Sequence, residues 1–245
     1  MPKSNIALSI VIPTLNEAGS AEALVRRIDA AMHVARCGYK IIVIDDHSTD
    51  GTRALFRTLS ADYPISVYMK AGAKGKAQSL IEGFSRSKTP LIAMIDADLQ
   101  YPPEALVEML DRLDATNADI VLTSRLVNES PWLRRLSSYI FKFVFVRLLF
   151  NLQYDTQSGL KLFRASVLDG LVLEPTPWGF DLDFIVRAKQ AGASVVQQPI
   201  VFGPRQFGEA KINMFQAALE LARASLRLKF ELMKERFIGL KEFSS

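Results

Sequence analysis

Cysteine is almost absent from this chain of 245 residues, in which Cys37 is the only one. A single cysteine excludes an intramolecular disulfide and a metal site built from clustered thiolates. No neighbouring pattern of residues would activate the Cys37 thiol, so the residue is interpreted as part of the packing and not as a nucleophile.

Long hydrophobic runs are also absent. A helix that crosses a bilayer needs about 20 mostly apolar residues, whereas the longest uncharged runs, Ser4–Asn16 and Ala191–Pro204, are shorter and contain proline. The short, polar N-terminus runs directly into an apolar stretch, which is unlike a secretory signal. We therefore expect neither a signal peptide nor a membrane-spanning segment.

Neither sign of charge is strongly in excess, because 30 lysines and arginines stand against 26 aspartates and glutamates. The net charge of +4 is too small to be typical of a nucleic-acid-binding protein, so we expect no nucleic-acid partner. The chain also contains no Walker P-loop and no G-x-G-x-x-G motif. These absences argue against an NTPase and against a dinucleotide-dependent dehydrogenase.

Short β-branched runs alternate with stretches of helical periodicity through the first half of the chain. Five runs are predicted to be strands: Leu8–Leu15, Tyr39–Asp46, Ile65–Lys70, Leu91–Asp96 and Ala118–Arg125. Strict alternation of apolar strands with helices predicts a mainly parallel sheet with helices on both faces. The fold class is therefore α/β, and the length fits one domain with a C-terminal extension.

Carboxylates stand where two of the predicted strands end. The second strand runs into Asp45 and Asp46, and the fourth runs into Asp96 and Asp98. Ligands of parallel α/β sheets gather at this end of the strands, and two buried acids are costly unless a cation joins them. Hard oxygen ligands suit Mg²⁺ or Mn²⁺. The same acids also fit a second interpretation, in which they cap the turns and helices that follow.

Several motifs occur in an order that resembles glycosyltransferase family 2. Three segments carry the resemblance to the family: Val11–Glu17 (VIPTLNE), Ile44–Thr52 (IDDHSTDGT) and Asp96–Gln100 (DADLQ). Six later segments are similar to its dolichol-phosphate mannosyltransferase branch: Lys74–Lys76, Ile81–Phe84, Ser124–Arg125, Asp155–Gly159, Leu162–Arg164 and Phe207–Lys211. The resemblance extends over residues 8–213, and its strength lies in the ordered set.

The resemblance implies a GT-A catalytic domain over residues 1–213, followed by an amphipathic helix over residues 214–245. The positions implied for nucleotide-sugar binding are Pro13, Glu17, Asp46, Lys76, Asp96 and Lys211. The implied ligands of a Mg²⁺ or Mn²⁺ cofactor are Asp96, Asp98 and Gln100. The positions implied around an acceptor phosphate are Ser124, Arg125 and Arg135. The positions implied in catalysis are Asp98, Asp181, Arg125 and Arg205.

Asp181 and Asp183 open a predicted helix at the place where related transferases carry an acceptor-activating acid. The sequence departs from the mannosyltransferase pattern at this point, so the choice of base between the two acids stays open. On the alternative interpretation, Asp181 lies near the positive end of the helix and has no chemical role.

Two segments combine basic side chains with large apolar ones. Residues 131–154 contain four basic residues and no acid, and apolar residues of the C-terminal segment recur at steps of three and four. Both patterns are typical of amphipathic helices in a membrane interface; core packing is the alternative for the first and dimerisation for the second. We expect peripheral contact with the cytoplasmic face of a membrane, directly or through an anchoring partner.

These features predict an inverting glycosyltransferase that moves a sugar onto a polyprenyl or dolichyl phosphate, with mannose from GDP-mannose implied by the branch. An ionised phosphate needs positioning more than deprotonation, which would explain arginines at the acceptor site. One alternative is a family 2 transferase that uses a UDP-sugar or a glycan hydroxyl acceptor, in which case Asp181 or Asp183 must be a base. The other is a non-catalytic subunit that binds nucleotide or lipid.

Overall fold

A seven-stranded sheet forms the centre of the computed structural model, which describes residues 6–127, 147, 149–177, 179–204 and 214–242. The strands are β1 (Ile6–Thr14), β2 (Gly38–Asp45), β3 (Ile65–Met69), β4 (Leu91–Ile95), β5 (Ile120–Val127), β6 (Leu160–Arg164) and β7 (Val195–Val201). Their order is β3-β2-β1-β4-β6-β5-β7, and only β6 runs antiparallel to its neighbours in this sheet. The predicted α/β class with a mainly parallel sheet is confirmed.

Helices cover both faces of the sheet, as the alternating pattern predicts. They are α1 (Ala18–Ala35), α2 (Thr52–Leu59), α3 (Lys76–Arg86), α4 (Ala105–Thr116), α5 (Phe180–Gln190) and α6 (Met214–Glu242). Alternation along β1 builds two cores, because Ile10 and Ile12 pack with α1, α2 and α4, whereas Val11 packs with α3, α5 and α6.

Close packing of α3 against β1 fixes where that helix begins. A Cβ atom at Gly83 would lie 2.2 Å from Cγ1 of Val11, so only glycine allows this approach. Buried Ala77, Leu80 and Phe84 hold the rest of the helix against the sheet. The first residue of α3, Lys76, is thereby held beside the ends of the central strands.

The long helix α6 packs on α5. Leu221, Leu228 and Leu232 are buried along one side of it, and Arg187 of α5 pairs with Glu231 of α6 at 3.3 Å. No helix in the described ranges is both long enough and apolar enough to cross a bilayer.

Candidate active site

One edge of the sheet collects most of the described residues that the sequence singled out. The parallel strands all end at this edge, and the antiparallel β6 begins there. Hydrogen bonds connect neighbouring strand ends, since the Asp46 amide donates to the Thr14 carbonyl at 2.8 Å and Arg125 pairs with Asp155. The structure therefore brings the described candidate donor, metal and acceptor residues to one edge of the sheet.

The loops after β1 and β2 are bound to each other at the proposed nucleotide end. The Glu17 amide donates to Oγ1 of Thr52 at 2.8 Å, and the Ala18 amide donates to Oδ2 of Asp50 at 3.0 Å. Asp50 also accepts from the Thr52 amide at 3.0 Å, so it stabilises the turn that leads into α2. Burial raises the pKa of Asp50 and these hydrogen bonds lower it, with a net decrease.

Asp45 and Asp46 both have partners within the protein. Asp45 is buried and accepts from the Ser48 amide at 3.2 Å, which favours the turn-forming interpretation for this acid. Asp46 forms an ion pair with Lys70 at 2.6 Å and accepts from the Gly75 amide at 2.8 Å. Lys70 in turn donates to the Gly75 carbonyl at 3.1 Å, so Asp46 anchors the loop that leads to Lys76.

Lys70 was not identified from the sequence, although its side chain is fully buried. It follows β3 directly, and its amide donates to the Asp45 carbonyl at 3.0 Å. A lysine at the end of an otherwise apolar strand pattern is the signal that could have indicated an internal ion pair.

The candidate metal ligands lie in the turn after β4. Asp98 is buried, and its Oδ1 accepts from the Gln100 amide at 3.1 Å. Leu99 between them has a φ of 60°, which tightens the turn. The Gln100 side-chain nitrogen donates to the Gly203 carbonyl at 3.4 Å, so the amide oxygen is the atom that could bind a metal.

This donor set fits a hard divalent cation that completes its coordination with phosphate or water oxygens. Asp96 has room beside it because Gly159 has no side chain: a Cβ there would lie 2.1 Å from Oδ2 of Asp96. Across the described ranges no group of three or more acidic, histidine or cysteine side chains could hold a metal by itself. Two carboxylates and one amide oxygen therefore leave coordination positions for a substrate.

Lys76 faces these acids, and its Nζ lies 2.5 Å from Oδ1 of Asp96. Burial lowers the pKa of Lys76, but the charges of Asp96 and Asp181 raise it by a larger amount. The pKa of Lys76 therefore lies above its ordinary value. Lys76 is thus a firmly charged ammonium at the site.

Asp181 and Asp183, in the first turn of α5, form ion pairs with different partners. Asp181 pairs with Lys161 of β6 at 2.5 Å. Asp183 instead pairs with Arg187 at 2.7 Å, on the side of α5 that faces α6. Only Asp181 is near the candidate metal acids, where its charge acts on Lys76.

Arg125 lies at the acceptor side with a partner that the sequence did not assign to it. Its Nε and Nη2 donate to the two oxygens of Asp155 at 2.8 and 3.0 Å, and its guanidinium lies 5.4 Å from the ring centre of Phe202. Burial lowers the pKa of Arg125 and Asp155 raises it, with a net increase. Ser124 is half-buried on β5, opposite Pro199 of β7.

The other predicted site residues divide into two groups. Pro13 pairs in register with Ile44 of β2, at the end of β1, and Glu17 immediately precedes α1. Arg135, Arg205 and Lys211 lie outside the described residues, as do most of residues 131–154.

The outer side of α6 is apolar at its centre. Its exposed large hydrophobic residues are Leu219, Leu226, Phe230 and Met233. Their spacing of seven, four and three residues places them on one stripe of the helix. Arg223 and Lys234 are exposed beside the stripe.

The family model named "Glycosyl transferase family 2" matches residues 9–171, which is more than half of the chain. A protein of Pyrococcus furiosus named dolichol-phosphate mannosyltransferase is 32% identical over 213 residues, which are 84% of this chain and 59% of that protein. This chain thus spans less than two thirds of that relative. A polyprenol monophosphomannose synthase of Mycolicibacterium smegmatis is 30% identical over 89% of this chain and 86% of its own length.

A solved structure with the same fold is that of glucosyl-3-phosphoglycerate synthase from Mycobacterium tuberculosis in complex with Mn²⁺, UDP-glucose and phosphoglyceric acid. It superposes with a TM-score of 0.71, covers 93% of this chain and 81% of that one, and is 15% identical in sequence. A likeness at this identity shows the fold, and the predicted GT-A class is confirmed by it.

Proposed function

Because the chain belongs to glycosyl transferase family 2, we propose that it transfers a sugar from a nucleotide-diphosphate donor to the phosphate of a polyprenyl phosphate. The observation on which this proposal depends is that acids directly after β2 and β4, and an arginine near the end of β5, lie at one edge of the sheet. The names of the relatives, which include mannosyltransferase and monophosphomannose synthase, support mannose as the sugar. GDP-mannose is therefore the first donor to test.

At the donor end, Asp96, Asp98 and the amide oxygen of Gln100 would hold a Mg²⁺ or Mn²⁺ ion. Such an ion, when bound, supplies positive charge that neutralises the diphosphate of the leaving group. Lys76 contributes a further positive charge beside Asp96. Pro13, Glu17 and Asp46 would line the nucleotide, and Lys211 is a further proposed donor contact.

At the acceptor end, Arg125 would position the phosphate of the lipid, together with Ser124 and Arg135. One phosphate oxygen attacks the anomeric carbon of the sugar as the bond to the diphosphate breaks, and the diphosphate leaves with the electron pair. This single displacement inverts the anomeric configuration. The acceptor is already ionised near neutral pH, so its oxygen needs no general base.

Asp181 supports a phosphate acceptor over a hydroxyl acceptor. A hydroxyl acceptor requires a base, and Asp181 is the described acid of α5 that faces the site. Taking up a proton there would leave the buried Lys161 ammonium without its counter-charge, which is costly. Asp181 is therefore proposed to orient the substrate, and Arg205 to stabilise its charge.

The exposed stripe of α6 is proposed to lie on the anionic surface of the membrane that carries the acceptor, on its cytoplasmic face. Apolar side chains at the centre of the stripe and the exposed Arg223 and Lys234 beside it match the apolar and anionic layers of such a surface. Lys229 of α6 donates to the Leu149 carbonyl at 2.7 Å, which joins this helix to the basic segment 131–154.

Vesicle binding tests this contact. We expect the protein to sediment with vesicles that contain an anionic phospholipid, and Leu226→Glu with Phe230→Glu to abolish this. Val34→Glu, at an apolar position on α1 that is 72% exposed, is the matched control and should leave binding unchanged. Unchanged vesicle binding by the α6 variant would refute the membrane contact, and conversion of a dimer to a monomer in light scattering would assign the stripe to dimerisation instead.

The proposed activity is tested by incubation with polyprenyl phosphate and a panel of nucleotide sugars in the presence of Mg²⁺ or Mn²⁺, followed by mass analysis of the lipid extract. A glycosylated lipid identifies donor and acceptor together. Asp98→Asn should lose metal-dependent turnover, whereas Asp111→Asn, at an exposed position of α4, should not. Absence of any glycosylated lipid across the panel would refute the proposal, and unaltered turnover by Asp98→Asn would exclude Asp98 as a metal ligand.

A further inference from the structure

Lys161 is a buried cation in the middle of the sheet that the proposed reaction does not use directly. It is the second residue of β6, where its register partners are Met94 of β4 and Leu122 of β5. Its side chain has no exposed surface. Burying an ammonium at such a position opposes folding unless other groups accept its hydrogen bonds and balance its charge. The partners of Lys161 therefore indicate its role.

Two oxygen atoms accept hydrogen bonds from the Lys161 ammonium. The Nζ atom donates to the carbonyl oxygen of Ser158, at the start of β6, and to Oδ1 of Asp181, at the start of α5. Burial lowers the pKa of Lys161, and the Asp181 carboxylate opposes this decrease without cancelling it. Lys161 therefore depends on Asp181 for its counter-charge, and Asp181 is held in one place by Lys161.

A second ion pair lies beside the first. Lys76 pairs with Asp96 at 2.5 Å, the charge of Asp181 acts on Lys76, and the charges of Lys76 and Asp96 act on Lys161. The four groups thus form two neighbouring ion pairs. Of these, Lys161 is fully buried, whereas Asp181 keeps 20% and Lys76 38% of the side-chain surface exposed at the cleft.

On the basis of the proposed function, we infer that Lys161 is a positioning residue that holds Asp181 in place as an acceptor for hydroxyl groups of the donor sugar. Oδ1 of Asp181 is bound to Lys161, whose Nζ also donates to Ser158, and the next residue, Gly159, lies directly against Asp96. A carboxylate anchored in this way can accept hydrogen bonds from a sugar without rearranging, which favours one orientation of the anomeric carbon. The ammonium itself does not touch the substrate.

The test compares Lys161→Met, Lys161→Arg, Asp181→Asn and the double variant Lys161→Met with Asp181→Asn. Two quantities are measured for each: kcat/KM with the donor that the panel identifies, starting with GDP-mannose, and the ratio of the dissociation constants of GDP and GDP-mannose. That ratio reports the contribution of the sugar to binding and requires no turnover.

Lys161→Met should lower kcat/KM by about 10- to 100-fold, as misplacement of a substrate-orienting group does, and should weaken GDP-mannose binding while GDP binding stays unchanged. Lys161→Arg should recover part of the loss. Because both residues act as one unit, the double variant should be no worse than Asp181→Asn. A double variant whose loss equals the product of the single losses, or a Lys161→Met protein that retains the wild-type ratio, would overturn the inference.

Two further outcomes are distinguishable. If Lys161→Met does not fold, donor analogues that each lack one sugar hydroxyl are tested on wild type and on Asp181→Asn. Wild type should bind one of these analogues more weakly than GDP-mannose, whereas Asp181→Asn should bind that analogue and GDP-mannose equally well. Equal losses in both proteins on every analogue would overturn the inference. If wild type transfers no sugar but the sugar contribution still falls in Lys161→Met, the proposed function fails and the positioning role stands.

Discussion

Gly159 and Asp96 approach each other so closely that no side chain fits between them. A Cβ atom at position 159 would lie 2.1 Å from Oδ2 and 2.7 Å from Cγ of Asp96. The φ angle of Gly159 is not in the left-handed region, so the glycine is needed here for space and not for backbone conformation. The first residue of the DADLQ turn is thus positioned by a residue that lies just before β6.

Gly159→Ala is therefore expected to displace the Asp96 carboxylate, together with the ring of Tyr101, whose Cε2 would lie 2.7 Å from the new Cβ, and to weaken divalent-metal binding. Rotation of a ligand away from its position costs about 10- to 100-fold in metal affinity. The measurement is titration with Mn²⁺ in the presence of a nucleoside diphosphate, followed by electron paramagnetic resonance. Gly203→Ala is the matched control, since the nearest atom to a Cβ there is the Gln100 carbonyl oxygen at 3.9 Å. Equal affinity in both variants would contradict a metal role for Asp96.

Asp183 gives a prediction about pH. Burial raises its pKa; Arg187 opposes this rise, and Glu174 and Glu231 add to it. A carboxyl group with a raised pKa in the folded state stabilises the fold below its unfolded pKa of about 3.9 and loses this contribution as pH rises through the folded value. Asp183→Asn removes the titration, so its stability relative to wild type should be more favourable at neutral pH than at acid pH.

Thermal unfolding of wild type and Asp183→Asn across the acid range measures this difference. Asp111→Asn, which changes an exposed acid on α4, is the control for a general effect of charge. A stability difference that is constant from acid to neutral pH would show that burial of Asp183 carries no cost.

Much of the fold could be predicted because its first five strands are mainly apolar, and because acidic residues follow β2 and β4 directly. The predicted runs lie within three residues of the observed bounds of β1 to β5. The strands β6 and β7 were not predicted, and the physical reason is the same for both. β6 contains Lys161, and β7 contains Gln198, so neither sequence shows the alternation or continuous apolar run of a typical strand.

The polar residues of these strands have partners that are far away in the sequence. Gln198 accepts from Arg112 of α4 at 2.7 Å, and Lys161 pairs with Asp181. The same applies to the site, where Asp46, Asp181 and Arg125 were predicted but their respective partners Lys70, Lys161 and Asp155 were not. Each of those three pairings depends on chain segments that meet only in the folded sheet. The local pattern can therefore indicate a buried charge, as at Lys70, but not its partner.

Substitution of Lys70 tests whether its ion pair with Asp46 stabilises the fold at the proposed nucleotide site. Lys70→Met should lower the free energy of unfolding by about 3–5 kcal/mol, because it leaves the buried Asp46 carboxylate without its cation. Adding Asp46→Asn should recover part of that loss, since the uncompensated charge is then removed. Urea unfolding measures both changes, and Lys88→Met, at an exposed position, is the control. An additive loss in the double variant would mean that the ion pair contributes nothing.

Substitution of Arg125 tests the proposed acceptor site, where we expect the geometry of the guanidinium to affect phosphate binding more than its charge does. Two of its nitrogens are bound to Asp155, which fixes the plane of the guanidinium and leaves both protons of Nη1 and the second proton of Nη2 for a phosphate. Lysine keeps the charge but cannot bind Asp155 with two parallel hydrogen bonds and also hold the acceptor.

Arg125→Lys should therefore raise the KM for polyprenyl phosphate about tenfold or more, the equivalent of one charge-assisted hydrogen bond. Affinity for the nucleoside diphosphate should stay unchanged, because the donor end is built from β1, β2 and β4. Steady-state kinetics with varied lipid and calorimetry with nucleotide separate the two effects, and Arg112→Lys on α4 controls for the substitution itself. A change in nucleotide affinity with a constant KM for the lipid would move Arg125 from the acceptor to the donor side of the site.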